Sequence, residues 1–313
     1  MTMTRIRIAL LAVALASIPA LAAAQPKMNV VKLAEGVWAA EMDGGANVGW
    51  FLASDGVVVV DSGNDAATAR AVLEKIAETA GKPVRYLVLT HAHGDHAGGI
   101  STFAAAGARI LCHENAAPAA ASLLQAPAGK TSEGVIAISD RMVFFGGARR
   151  AAVYFLGAGH TNGDLVVLLP EEKILFAGDL VMHGKLPYLQ SADADPRGWE
   201  QILTRLAGLD VAKVVPGHGT VSERQAVGDT LAYVRKVNQL ATDFIRTSVP
   251  EPLYEMKLRE PDNRIENVVV GADHVANVRA AVKLERARLE KQAEKPKPVS
   301  TPAPTKPPPP RKS

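Results

Sequence analysis

The chain has 313 residues, 48% hydrophobic and 21% charged, a composition that supports a packed core and excludes a disordered or fibrous protein. Its formal charge of +3 falls to +1 without Arg5 and Arg7, and to −4 without the five Lys and Arg beyond residue 294. That acidic remainder argues against a nucleic-acid partner, and Cys112, the single cysteine, excludes a disulfide framework within the chain.

Residues 1–24 read as a secretory signal peptide: basic Arg5 and Arg7, an apolar run from Ile8 to Leu21, and Ala22-Ala23-Ala24 as a cleavage site before Gln25. The run is short for a bilayer span and no later segment reaches spanning length, so the mature protein is expected to be secreted, periplasmic and without a membrane span. Val30 to Asp61 reads as short strands with Asp43-Gly44-Gly45 as a hairpin turn, and the Met42–Asn47 hairpin is a candidate flap. A helix is predicted over 65–80, with Ala71, Leu73, Ile76 and Ala77 on one face. A strand at 84–90, a short helix at 100–106, a strand at 108–112 holding Cys112 as a small core residue, and a helix at 114–124 follow. Residues 127–132 read as an exposed loop.

Strands return at 135–138, 142–145, 151–156, 165–169 and 174–177, the last two joined by the hairpin Pro170-Glu-Glu-Lys173. Asp195-Pro196 is an N-cap followed by proline at the first helical position, opening a helix to about Gly208, and Lys213 to Pro216 is the last strand. This order predicts two sheets with helices outside. Two long helical patterns, 223–247 and 268–295, follow, placed outside the core or used for self-association. The division expected is a signal peptide at 1–24, one domain over 25–225, a helical extension over 226–294 and a disordered Lys/Pro-rich tail over 295–313.

The chemistry concentrates in Thr90-His-Ala-His-Gly-Asp-His-Ala-Gly-Gly99, which holds three of the eight histidines beside an aspartate. Imidazole nitrogens and a carboxylate are what a borderline-soft divalent cation accepts. His91 and His93, two apart in an extended stretch, point the same way and can converge on one ion, whereas Asp95 and His96 lie past Gly94 and can face a second. Three later loops repeat the device of a glycine-bracketed ligand just past a strand: His160 after 151–156, Asp179 after 174–177, and His218 after 213–216. Seven such residues predict a binuclear site, and His183, Lys185 and Tyr188, in the loop after Asp179, are candidates for substrate contact. His113 and His274 fall outside the pattern and read as structural or surface residues.

Over residues 30–225 the chain resembles the metallo-β-lactamase superfamily: HxHxDH is His91, His93, Asp95 and His96, and the later His, Asp and His are His160, Asp179 and His218. The resemblance implies an α+β fold, a four-layer αββα sandwich, with two zinc ions per chain, iron or manganese being alternatives. It implies that His91, His93 and His160 hold the first ion, that Asp95, His96 and His218 hold the second, and that Asp179 bridges them. Asp61 would brace the metal loop by hydrogen bonds. Asp95 would act as the catalytic residue that orients a metal-activated hydroxide. The implied activity is hydrolysis of an ester, lactone, thioester or amide in a small-molecule substrate. The run Gly159 to Gly219 looks like the secreted zinc β-lactamases, but Asp179 stands where their largest subclass has cysteine, and Met182 where that subclass often has lysine. A true β-lactamase, a persulfide dioxygenase-like iron enzyme and a metal-bearing binding protein are therefore alternatives.

Overall fold

The structure, a computed structural model, describes residues 26–124, 134–146 and 149–294. The expected signal peptide, the 127–132 loop and the 295–313 tail lie outside the described residues.

The short apolar runs of the first half pair into a seven-stranded sheet in sequence order: β1 (Met28–Ala34), β2 (Val37–Met42), β3 (Val48–Leu52), β4 (Val57–Val60), β5 (Val84–Val88), β6 (Arg109–His113) and β7 (Val135–Ile138). The first four are antiparallel hairpins, and β4 through β7 run parallel, the crossovers carrying helices α1 (Ala66–Ala80), α2 (Gly94–Ala97), α3 (Ile100–Ala105) and α4 (Ala117–Leu123). Helix α1 starts where Asp65 caps the Thr68 amide and stops at Gly81, whose φ of 62° is the left-handed C-cap glycine favours.

The second sheet has five strands in the order β12-β11-β10-β9-β8, comprising β8 (Arg141–Gly146), β9 (Arg149–Phe155), β10 (Leu165–Leu169), β11 (Ile174–Met182) and β12 (Lys213–His218). Helix α5 (Pro196–Ala207) is capped by Asp195 with Pro196 in its first turn, as the sequence predicts. After β12 come α6 (Gln225–Arg246), α7 (Tyr254–Leu258) and α8 (Ala272–Ala293).

Period-two alternation sorts the strands' side chains into layers. From β4, Val58 and Val60 enter the core between the sheets, while Val57 and Val59 face α1 and α3; from β10, Leu165, Val167 and Leu169 point inward and Val166 faces the opposite helices. Four layers result, helix–sheet–sheet–helix. The C-terminal helices share one hydrophobic cluster with α5 and the second sheet, joining Trp199, Val234, Leu240 and Val282. Trp50, fully buried, stacks on Trp38 at 6.4 Å and donates to Thr79 Oγ1 at 3.0 Å, so it belongs to the core of the first helix layer.

Candidate metal centre

The ligand-type residues meet at one rim of the sandwich, delivered by both sheets. Beyond β5, His91 and His93 sit in an extended loop and the one-turn helix α2 carries Asp95 and His96. His160 lies in the loop between β9 and β10. Two positions differ from the sequence expectation. Asp179 lies inside β11, not past its end: the strand pairs with β12 as far as Met182 through a register shift at Gly178, where φ is +52°. A Cβ on Gly178 would stand 2.5 Å from Thr90 Oγ1, so only glycine lets β11 pass the metal loop there. His218 is the last residue of β12, one place inside the strand rather than beyond it.

The ligand atoms form two clusters, His91, His93, His160 and Asp179 in one and Asp95, His96 and His218 in the other, each with its ligand atoms within 4.8 Å of one another. His93 Nδ1 stands 3.1 Å from His91 Nε2 and 3.0 Å from His160 Nε2. Tetrahedral coordination at zinc–nitrogen lengths separates neighbouring ligand atoms by about 3.4 Å, close to these spacings. Asp179 Oδ2 faces this cluster, 3.4 Å from His160 Nε2 and 4.0 Å from His91 Nε2. Its other oxygen, Oδ1, faces His96 Nε2 at 3.0 Å and His218 Nε2 at 3.4 Å, and His218 Nε2 also lies 3.1 Å from Asp95 Oδ2.

Whether these residues fit a cation is decided by where their protons are. Thr90 Oγ1 donates to Asp61 Oδ2 at 2.8 Å and is left to accept from His91 Nδ1 at 3.1 Å. His96 Nδ1 donates to Asp61 Oδ2 at 2.8 Å, and His160 Nδ1 donates to the Tyr188 carbonyl at 3.0 Å. His93 Nε2 donates to Ser191 Oγ at 3.1 Å. With the outer nitrogens so engaged, the inner nitrogens of His91, His93 and His160 present lone pairs to their cluster, and His96 Nε2 presents one once a cation displaces its proton. His96 Nε2 and Asp179 Oδ1 are buried, face each other, and have no hydrogen-bond partner. Burial, reinforced by the charge of neighbouring histidines, holds His91 well below the usual histidine range, and burial takes His160 down to about 4, so both stay neutral. Burial would also lower His218, but the carboxylates of Asp179 and Asp95 beside it outweigh burial and lift that ring to about 9. His96 is raised likewise, against burial, by Asp179 and Asp61. Lone pairs, orphaned atoms and two carboxylates that attract positive charge are the donor set a divalent cation takes.

Asp61 ties Thr90 to His96 by hydrogen bonds. Its Oδ1 accepts from the Thr90 amide at 2.7 Å and its Oδ2 takes Thr90 Oγ1 and His96 Nδ1, while its backbone has φ +64°. Of the candidates for substrate contact, Lys185 and Tyr188 line the open cavity above the clusters with Met182 and Leu186. His183 does not: its Nδ1 turns to the Thr220 carbonyl at 2.9 Å, and its amide donates to the His218 carbonyl. The Met42–Asn47 hairpin is laced to the His218 loop, Asn47 Nδ2 donating to the carbonyls of Pro216 at 2.9 Å and Gly219 at 2.7 Å. His113 stacks on Phe155 at 3.7 Å and His274 is buried against Tyr233. Ser191, Asp164 and Asn47 have no signal in the sequence. Asp164, almost fully buried, accepts from the amide and hydroxyl of Thr161 and so shapes the His160 turn, and burial pushes its carboxyl up to about 7.

Ligand atoms drawn from both sheets onto the rim of a four-layer sandwich define a metallo-hydrolase. The chain belongs to the metallo-beta-lactamase superfamily, whose family model matches residues 42–218. Metallo-beta-lactamase type 2 of Bacillus cereus is 32% identical over 183 residues, 57% of this chain and 68% of that protein. The enzyme of the same name from Elizabethkingia meningoseptica is 28% identical over 199 residues, 62% of this chain and 77% of that one. A solved structure, the metallo-beta-lactamase from Pontibacter korlensis, matches with a TM-score of 0.57 at 28% identity, covering 67% of this chain and 99% of that chain. No helix among the described residues is long and apolar enough to cross a membrane. Helices α6 to α8 lie beyond the matched residues.

Proposed function

We propose that the chain is an exported, periplasmic hydrolase that holds two zinc ions and cleaves an ester, lactone, thioester or amide bond in a small-molecule substrate. The observation that supports this is the Asp179 carboxylate, one oxygen turned to each cluster. In this reading His91, His93 and His160 hold one ion, Asp95, His96 and His218 the other, and Asp179 lies between them. Such a pair of cations, when bound, lowers the pKa of water toward neutrality and polarises a carbonyl oxygen.

The chain's own residues do the rest. Asp95, whose side chain is 38% exposed at the cavity floor, is kept ionised: burial would raise its pKa, but the hydrogen bond with His218 and the charge of His96 bring it down. It orients the attacking water and carries its proton toward the leaving group. Lys185 and Tyr188 at the mouth hold the substrate, Lys185 through its charge. A second reading, β-lactam hydrolysis, is favoured by the relatives' names and disfavoured by aspartate at position 179 and methionine at position 182.

The test is metal analysis of purified protein with a panel of ester, lactone, thioester and chromogenic cephalosporin substrates, each with and without chelator. Two equivalents of zinc and chelator-sensitive turnover fastest on the first three support the proposal. Fastest turnover of the cephalosporin selects the second reading. Less than one equivalent of metal, or iron with oxygen uptake on a persulfide, overturns both.

A further inference from the structure

The stretch from Pro187 to Asp195, between β11 and α5, belongs to no strand or helix, so no ladder satisfies its backbone. Yet it touches the metal centre twice. The Tyr188 carbonyl takes the proton of His160 Nδ1, and Ser191 Oγ lies 3.1 Å from His93 Nε2. Tyr188 is 47% exposed, its ring meeting that of His160 edge-on at 6.2 Å between centroids.

The anchor comes from 88 residues further along the chain. Asn277, on α8 and 1% exposed, accepts from the Leu189 amide through Oδ1 at 3.1 Å and donates from Nδ2 to the Pro187 carbonyl at 2.7 Å. It therefore grips the backbone on both sides of Tyr188, as a neighbouring strand would. Its second Nδ2 proton goes to Tyr233 Oη on α6 at 2.9 Å, and Tyr233 Oη is 3.1 Å from His274 Nδ1. The amide thus uses both donors and its acceptor, leaving one orientation in which all three bonds form. Both helices lie outside residues 42–218, the part that matches the superfamily.

We infer that Asn277 is a positioning residue of the metal centre: through Pro187 and Leu189 it fixes the Tyr188 carbonyl, and through that carbonyl the proton and orientation of His160. The inference rests on the reading that His91, His93 and His160 bind metal. It makes the C-terminal helices part of the metal-holding apparatus of this chain.

The test uses the full chain loaded with cobalt, read by its visible absorption spectrum and by the rate of metal transfer to a competing chelator, beside the unfolding midpoint of the metal-free protein. Asn277→Leu is expected to speed metal release about 10-fold and alter the cobalt bands. Tyr233→Phe, which removes one bond to Asn277 and keeps the ring, gives a smaller change in the same direction and carries the test should Asn277→Leu fail to fold. Val278→Ala, a cavity in the same helix that touches neither Pro187 nor Leu189, lowers the unfolding midpoint and leaves spectrum and release rate at wild type. Unchanged cobalt behaviour in Asn277→Leu, or in Tyr233→Phe where that variant carries the test, or an equal change in Val278→Ala, overturns the inference. A wild-type chain that binds no cobalt instead overturns the metal reading itself.

Discussion

Asp61 carries a left-handed backbone, which costs a non-glycine residue about 1 kcal/mol, and holds it because three hydrogen bonds to Thr90 and His96 require it. Asparagine tolerates that backbone and can still accept from Thr90, but its amide cannot serve both Thr90 Oγ1 and His96 Nδ1. Asp61→Asn should therefore keep the fold, by circular dichroism, and lose about 10- to 100-fold in metal affinity by chelator competition. Asp164 gives a pH signature instead. Burial raises its carboxyl to about 7 from a reference of 3.8, so the folded chain holds this proton more tightly than the unfolded chain does. Its contribution is complete below pH about 4 and is lost as pH rises to about 7, a fall of up to about 4 kcal/mol. Between pH 4 and 7 the stability of metal-free protein in urea unfolding should fall by up to that much more in wild type than in Asp164→Asn, the histidines contributing alike to both.

At the scale of elements, close approach of β11 and β12 sets the geometry. A Cβ on Gly217 would overlap Asp179 Oδ1 and crowd the Asp179 amide, so Gly217→Ala should fold with both clusters pushed apart and bind less than one equivalent of metal by elemental analysis. The glycine-bracketed ligand-type residues were legible in the sequence because each is a local pattern: an apolar run, then Gly, then His or Asp. The continuation of β11 through Gly178 to Met182 was not legible, because Gly-Asp reads as a stop and only pairing with β12 overrides it. Pro216 is tolerated there because β12 is an edge strand. The direction of His183 depends on that same pairing, so its sequence gave no sign that it turns to Thr220 rather than to the site. Ser191 and Asn277 act on partners 98 and 88 residues away from irregular or helical positions, where no periodicity marks them. Helix α8 begins at Ala272 rather than 268, since Gly271 forms its N-cap and Val268 to Val270 form an irregular lead-in.

For the whole molecule, the division of the ligand-type residues matters most. His91, His93, Asp95 and His96 ride on the first sheet and its helices, whereas His160, Asp179 and His218 ride on the second. A cation held by both would clamp the two halves of the sandwich. A ligand at 1,000 times its dissociation constant adds about 4 kcal/mol to a fold that alone binds it. Zinc should accordingly raise the Tm by about 10 °C, and a chelator should return it, in a calorimetric scan at fixed protein concentration.

The spread of these ligands also sets a timetable. His91 to His96 leave the ribosome well before Asp179 and His218, so neither donor set is complete until those residues have been made. Asn277, the clasp on the His160 side, arrives last of all. On the reading that Asn277 positions His160, a chain cut short before α8 would carry all seven ligand-type residues and lack the clasp that orders one of them.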